Sequence, residues 1–399
     1  MKKQQHSTAK DYPSVIKTTP MKRFFPLALN YFTNGFVTYW HKPVKRKIFD
    51  VTNVASFFIF VILTFIIRAG ARSQEEQTMA SRWDDTGASA QVSVFTSPMA
   101  TLSIDQIENF RHSIDGKLTE AAVVQESQNP SARQWVDAYS ARGTVTLSNE
   151  HSSGQYEAIG IGGDFFMFHP YRLLYGSYFS GNDEWKDSCV IDEDAAWQLF
   201  GASNVSGKMV LVNGIPHTIA GVIRREEGWL ESQAGIDSSV VYVSYETLNA
   251  RGYDTGVTHY EVVMPNPVTG FALQYVQEQL GSNENNTEVV ENSSRFDLVK
   301  RLEIVPSFAG RAMIQKPIAY PTWENVARGM ENLLGLLTIL SGFFLIYPMI
   351  SLTIYIVIRW RNRKYTVKSI FRWIKNRLDG WMDDLYTKRK RRHETDFDI

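Results

Sequence analysis

Two uncharged apolar runs, one toward each end, constrain this chain more than any other feature of its sequence. Val51–Ile67 holds 17 residues dense in Phe, Ile, Val and Leu, and Leu333–Ile358 holds 26. A helix of about 20 apolar residues crosses a bilayer. With Phe49 before it and Ala69 to Ala71 after it, the first run just reaches that length, and the second exceeds it. Ala69-Gly70-Ala71 also mimics a signal-peptide cleavage site, but the long segment ahead of it favours a retained span over residues 51–71.

Formal net charge is zero, and the average conceals a pattern. Residues 1–50 carry 10 Lys and Arg against 2 Asp and Glu, and residues 359–399 carry 13 against 6. The interior, 51–358, carries 19 against 34. Positive charge before the first span and after the second predicts cytoplasmic termini. The acidic segment 72–332 is then an extracytoplasmic head. A hydrophobic content of 44% excludes a polytopic membrane protein throughout. The lone Cys189 excludes an internal disulfide framework and sits in an apolar run, as a buried structural thiol does.

Within the cytoplasmic segment 1–50, residues 1–20 read as a disordered tail. Met21–Trp40, rich in Phe, Tyr and Leu among polar residues, reads as an amphipathic segment on a membrane face or a small packed helix or loop. Residues 91–147 give a strand near Val92–Phe95, a helix near Ile104–Leu118 and a strand near Ala121–Val124. Short strands follow, then a strand at Tyr260–Met264, a helix near Thr269–Leu280 and a strand near Glu288–Val290. Two strand–helix–strand units with a β-rich insert predict an α+β head between two transmembrane helices. Tyr320, Trp323 and Trp360 suit an aromatic belt. Pro348 falls within the second span, 333–358, and is a candidate hinge, because it removes a backbone donor.

The most informative stretch is Ser188–Val222. Cys189–Ile191 reads as a buried strand. Asp192 to Asp194 suit a helix start, and Ala195, Ala196, Leu199 and Phe200 give an apolar face that Gly201 ends. Met209–Val212 and His217–Val222 read as strands joined at Asn213-Gly214, a strong hairpin signal. Upstream lie Gly160-Ile-Gly-Gly-Asp-Phe-Phe and the Gly176-x-x-Phe179 turn.

This order of features resembles the periplasmic core domain of MacB-type ABC transporter permeases, the family that includes FtsX and LolC/LolE. The residues that carry the likeness are Gly176, Phe179, Val190, Ile191, Ala195, Leu199, Phe200, Gly201, Gly207, Lys208, Gly214, Gly221 and Val222. The resemblance implies a permease-like subunit in a bacterial plasma membrane that couples a separate cytoplasmic ABC ATPase to the head by mechanotransmission. It also implies a second permease subunit, the same chain or a paralogue, and contact with membrane lipids. The family's common form has three spans after the head, where this chain has one. A partner subunit would supply the others, or the chain is a reduced accessory member.

Residues 359–399 form the second cytoplasmic segment. There, Ile370, Phe371, Trp373, Ile374 and Leu378 form the apolar side of a basic amphipathic helix, and are the candidate ATPase-coupling face. Lys388–Arg392 is a basic block suited to solvent or lipid headgroups.

No nucleotide-binding, metalloprotease or serine-hydrolase motif occurs. Gly207-Lys208 lacks the earlier glycine of a phosphate loop, and Gly160 to Gly163 reads as a turn. The eight histidines show no ligand spacing. The expectation is therefore a non-enzyme with no catalytic, cofactor or metal residues of its own and no nucleic-acid partner, ATP entering only through a partner ATPase. A bitopic scaffold or sensor with a ligand-binding head stays open as the alternative.

Overall fold

The computed structural model describes residues 43–121, 123, 133–225, 227–234, 238–250, 255–281, 286–310, 317–362, 372 and 374–383. The tail at 1–20, the segment at 21–40, the basic block at 388–392 and the candidate coupling residues Ile370, Phe371 and Trp373 lie outside them.

The chain runs through α1 (Val44–Arg72), α2 (Met79–Trp83), β1 (Ser89–Thr96), α3 (Ile104–Glu120), β2 (Val136–Ser148), β3 (Ser153–Gly163), α4 (Phe165–Phe168), β4 (Leu173–Gly176), β5 (Ser188–Asp192) and α5 (Glu193–Phe200). It continues through β6 (Met209–Val212), β7 (Ile215–Ile223), α6 (Trp229–Gln233), β8 (Val240–Ser244), α7 (Tyr245–Asn249), β9 (His259–Pro265), α8 (Phe271–Leu280), β10 (Thr287–Glu291), α9 (Leu298–Ile304) and α10 (Thr322–Asn362). These residues fall into two compact units. One is Val61–Gly342, and the other combines the residues up to Phe60 with those from Phe343 onward.

In the larger unit the strands form one mixed sheet of order β10-β1-β9-β2-β3-β8-β5-β7-β4, with β6 pairing β2 and β7. The predicted α+β class is what the structure shows, and the expected insert is an extension of the same sheet. β3/β8 and β5/β7 are parallel, and the other pairs are antiparallel.

Helix α3 opens with a capping box, Ser103 with Gln106. Its stripe Ile107, Phe110, Ile114 and Leu118 packs with Val92, Val94, Tyr260, Val262 and Val276 on one face of the sheet. A second core, on the other face, gathers Ala138, Phe165, Phe168, Val190, Tyr242, Val263 and Trp323.

Two local expectations change. Ala121 caps α3, and Val123 donates to the Leu118 carbonyl, so the two described residues of the predicted 121–124 strand finish the helix instead. Gly160 to Gly163 lie within β3, not in a turn. The bare backbone there makes room for neighbours, since an added Cβ on Gly162 would overlap the Tyr139 ring and one on Gly160 would crowd Leu248.

The Ser188–Val222 stretch folds as its residues dictate. Asp192 caps α5, accepting from the Ala195 amide at 2.7 Å, and Gly201 ends the helix at φ +66°. Asn213 and Gly214, at φ 51° and 82°, turn β6 into β7. Cys189 is fully buried in β5, where burial pushes its thiol up to about 12.

Two helices among the described residues are long and apolar enough to cross a membrane, within α1 and α10. Phe58, Phe65, Phe343, Leu352 and Ile354 expose large apolar side chains along them. In the smaller unit, Pro348 sits inside α10 without interrupting it. Its missing N–H leaves the Phe344 carbonyl without an intrahelical donor. Ser56 of α1 supplies one, its Oγ donating to that oxygen at 2.9 Å.

Candidate functional site

Alternation along β1 and β9 sends Val92, Val94, Tyr260 and Val262 to the α3 side. Gln91, Ser93, His259 and Glu261 therefore face the other way, and all four are buried. Register places Ser93 opposite Glu261, and Ser140 of β2 opposite His259. His169 arrives from the turn after α4.

Three side chains converge on this face. His169 Nε2 lies 3.3 Å from Glu261 Oε2, and His259 Nε2 lies 3.1 Å from Glu261 Oε1. The outer nitrogens are held as well: His169 Nδ1 is 3.1 Å from Glu76 Oε1, and His259 Nδ1 is 3.3 Å from Ser140 Oγ. Ser93 Oγ donates to Glu261 Oε1 at 2.8 Å. Trp323 packs on both imidazoles, at centroid distances of 4.4 and 5.2 Å, and Phe95 stacks on His259 at 4.9 Å. Burial works against a proton on His169, but the carboxylates of Glu261 and Glu76 outweigh it and raise the group to about 9. Burial likewise opposes charge on Glu261, yet the two imidazoles hold its carboxyl far below the usual range.

A second polar group continues from the first. Asn292 Nδ2 donates to Ser93 Oγ at 2.7 Å, and the Arg295 amide donates to the Asn292 carbonyl. Arg295 is fully buried and reaches Glu324, Glu331 and Gln77 at 2.7, 2.7 and 3.0 Å. Arg328 bonds Glu324 at 2.6 Å and Glu288 at 2.9 Å, and its guanidinium covers the Tyr320 ring at 3.8 Å. Tyr320 in turn donates to Glu288. Burial opposes the charge of Glu324, but Arg295 and then Arg328 hold its carboxyl below the ordinary range. These ion pairs join the first turns of α10 to β10 and to the segment before α9.

Sequence reasoning did not find this network. Glu324, Arg328 and Glu331 recur at helical spacing as one charged stripe on α10, the signal that was available. Tyr320 and Trp323, expected in an aromatic belt, are buried in the head, because their rings cover Phe95, His169 and His259. Trp360 is exposed. Ser140, His259 and Glu261 stand in line as a hydrolase relay would. All three are buried beneath Phe95 and Trp323, and Glu261 is shared with His169, an arrangement that positions groups without presenting a nucleophile.

The motif residues contribute no side chain to the network and shape the β4–β7 half instead. Gly176 pairs with Gly221 across β4 and β7, and an added Cβ on either would meet a carbonyl oxygen, of Ala220 or Ser177. Phe179 packs edge-on to Phe166 at 5.7 Å. Leu199 is buried, Phe200 receives Lys208 over its ring at 5.2 Å, and Gly207 turns the chain into β6. Of the candidate coupling face, Ile374 and Leu378 lie in a helical stretch at 374–383 and are exposed.

Residues 58–295 match the MacB-like periplasmic core domain. The chain belongs to that family. The macrolide export ATP-binding/permease protein MacB of Chromobacterium violaceum is 27% identical over 127 residues, 31% of this chain and 19% of that protein. MacB 2 of Aeromonas hydrophila is 29% identical over 113 residues, 28% of this chain and 17% of that protein. The chain thus spans less than a fifth of either relative's length. Among solved structures, the extracellular domain of the ABC-type transporter YknZ from Gram-positive bacteria aligns at 18% identity and a TM-score of 0.35, covering 50% of this chain and 99% of that domain. The periplasmic region of MacB from Actinobacillus actinomycetemcomitans aligns at 16% and 0.34, covering 53% and 92%. A MacB-like periplasmic domain together with two apolar membrane-length helices makes this a membrane protein of the ABC-transporter permease family with an extracytoplasmic head.

Proposed function

We propose that this MacB-like chain is a membrane subunit that transmits the work of a separate cytoplasmic ABC ATPase to its extracytoplasmic head. Both termini lie in the cytoplasm of a bacterial cell, and ATP enters only through the partner ATPase. One observation carries the reading: α10 begins in the buried ion-pair network of the head and continues as one helix through the whole apolar run to Asn362. A helix fixed at its outer end by buried charge pairs delivers a displacement of its apolar part to β10 and β1. The Ile370, Phe371, Trp373, Ile374 and Leu378 face that follows meets the ATPase, and a second permease subunit, with membrane lipid around it, completes the transmembrane assembly.

The deciding experiment is affinity purification of the full chain from its native membrane in mild detergent. Stoichiometric recovery of an ABC ATPase is the expected result, and recovery alone or with signalling proteins overturns the ATP-driven reading. Within such a complex, Ile374→Glu and Leu378→Glu should abolish stimulation of ATP hydrolysis. Unchanged binding and stimulation would remove this face from the coupling role.

A further inference from the structure

The buried imidazole–carboxylate cluster has the chemistry of a metal centre. The ligand-capable atoms of His169, His259 and Glu261 all lie within 4.8 Å of one another. His169 Nε2, His259 Nε2 and Glu261 Oε2 make no hydrogen bond although all are buried. The short contacts of 3.1 and 3.3 Å between imidazole nitrogens and carboxylate oxygens are thus not aligned as donor and acceptor. Orphaned buried polar atoms are costly, and one partner shared by these three would satisfy them. Two ligands about 2.0–2.1 Å from a tetrahedral ion stand roughly 3.3 Å apart, close to the two imidazole–carboxylate contacts of 3.3 and 3.1 Å.

The surroundings fit the same reading. A metal-bound imidazole ordinarily engages a carboxylate or hydroxyl through its other nitrogen, which fixes ring orientation and raises ligand basicity. His169 does so with Glu76 and His259 with Ser140, while Ser93 fixes the carboxylate. Two clefts flank Trp323, and His169, His259 and Glu261 line neither of them. One cleft is lined by Glu76, Tyr171 and Trp323, and another by Ser140, Thr258 and Trp323.

We propose that His169 Nε2, His259 Nε2 and the Glu261 carboxylate form a site for a divalent transition-metal ion, Zn2+ by ligand type, that clasps β9 to the turn after α4 beneath Trp323. Two imidazoles and one carboxylate suit zinc and its neighbours rather than calcium or magnesium, which take oxygen shells. Three protein ligands leave the rest of the coordination shell to water. The site stands apart from the proposed ATP coupling and holds whether or not an ATPase binds.

The test uses the full chain in detergent, stripped with a chelator, dialysed and titrated with Co2+ and then Zn2+. One Co2+ per chain with the visible absorption of a low-coordinate nitrogen–oxygen site, displaced by Zn2+, is expected. His169→Gln and His259→Gln should each weaken binding by more than the roughly 10–100-fold that an outer-partner change such as Glu76→Gln costs. If these variants fail to fold, Trp323→Phe supplies an independent readout. It should keep the metal and lose most of the cobalt-dependent quenching of tryptophan emission, because Trp323 lies against both imidazoles. Absence of binding to the parent chain, equal binding by folded His259→Gln, or unchanged quenching in Trp323→Phe each overturns the proposal and leaves the cluster as a triad held by a proton.

Discussion

Arg295 grips Glu324 through two parallel hydrogen bonds, Nη1 to Oε2 at 2.7 Å and Nη2 to Oε1 at 2.8 Å, with both side chains buried. The fork is what Arg supplies and Lys cannot. Removing one member of a buried pair leaves an uncompensated charge at a cost of about 3–5 kcal/mol. Arg295→Met should therefore lower the unfolding free energy of the full chain in detergent by that order, and Arg295→Lys by less. Denaturant unfolding followed by far-UV circular dichroism measures it. A change within error for Arg295→Met would mean that the pair is not closed in solution.

Gly176 and Gly207 share a φ of +80° but differ in what surrounds them. A Cβ on Gly207 would meet nothing within 4 Å, so Gly207→Ala should cost only the left-handed backbone penalty, about 1–2 kcal/mol. On Gly176 the Cβ would also overlap the Ala220 carbonyl and the Ser206 hydroxyl. Gly176→Ala should then lower the melting temperature distinctly more than Gly207→Ala. Equal shifts would show that β4 moves aside freely.

Much of the architecture was legible because its signals are local. The Asp192 cap, the Gly201 stop and the Asn213-Gly214 turn each depend on a few adjacent residues whose backbone demands are chemical. The helix of Ile107, Phe110, Ile114 and Leu118 announces itself by spacing alone. The buried network was not legible, since its members meet only through the sheet. β1 and β9 must pair before Ser93 faces Glu261, and the turn after α4 must fold back before His169 joins them. The charges of Glu324, Arg328 and Glu331 stand at helical spacing beside an apolar run, and only tertiary packing against Arg295 and Glu288 reveals that they are inside. Trp323 misled for the same reason, an aromatic next to an apolar run being as suited to a core as to a lipid interface.

Cys189 should behave as an inert thiol. With its acidity pushed to about 12, roughly one molecule in 10^4 carries the thiolate at pH 8. The sign for stability follows from the same shift. The unfolded thiol ionises first, near its ordinary 9.0, so the folded state keeps its full stability below that pH and loses some between 9.0 and about 12. Maleimide labelling read by mass spectrometry should modify the chain only in denaturant. Rapid labelling of the folded chain at pH 8 would contradict the burial.

Pro348 and Ser56 make a testable pair in the smaller unit. The proline frees the Phe344 carbonyl, and the Ser56 hydroxyl satisfies it from the other helix at 2.9 Å. Hydrogen bonds between membrane helices contribute about 0.6 kcal/mol on average and reach about 1.7. Ser56→Ala should cost an amount in that range in thermal unfolding of the detergent-solubilised chain. Pro348→Ala restores the helix's own donor to Phe344, so Ser56→Ala should cost much less in that background. The difference between the two backgrounds isolates the carbonyl from every other effect of losing a hydroxyl. An equal cost with and without the proline would show that Ser56 acts elsewhere, and that the helix tolerates Pro348 without help.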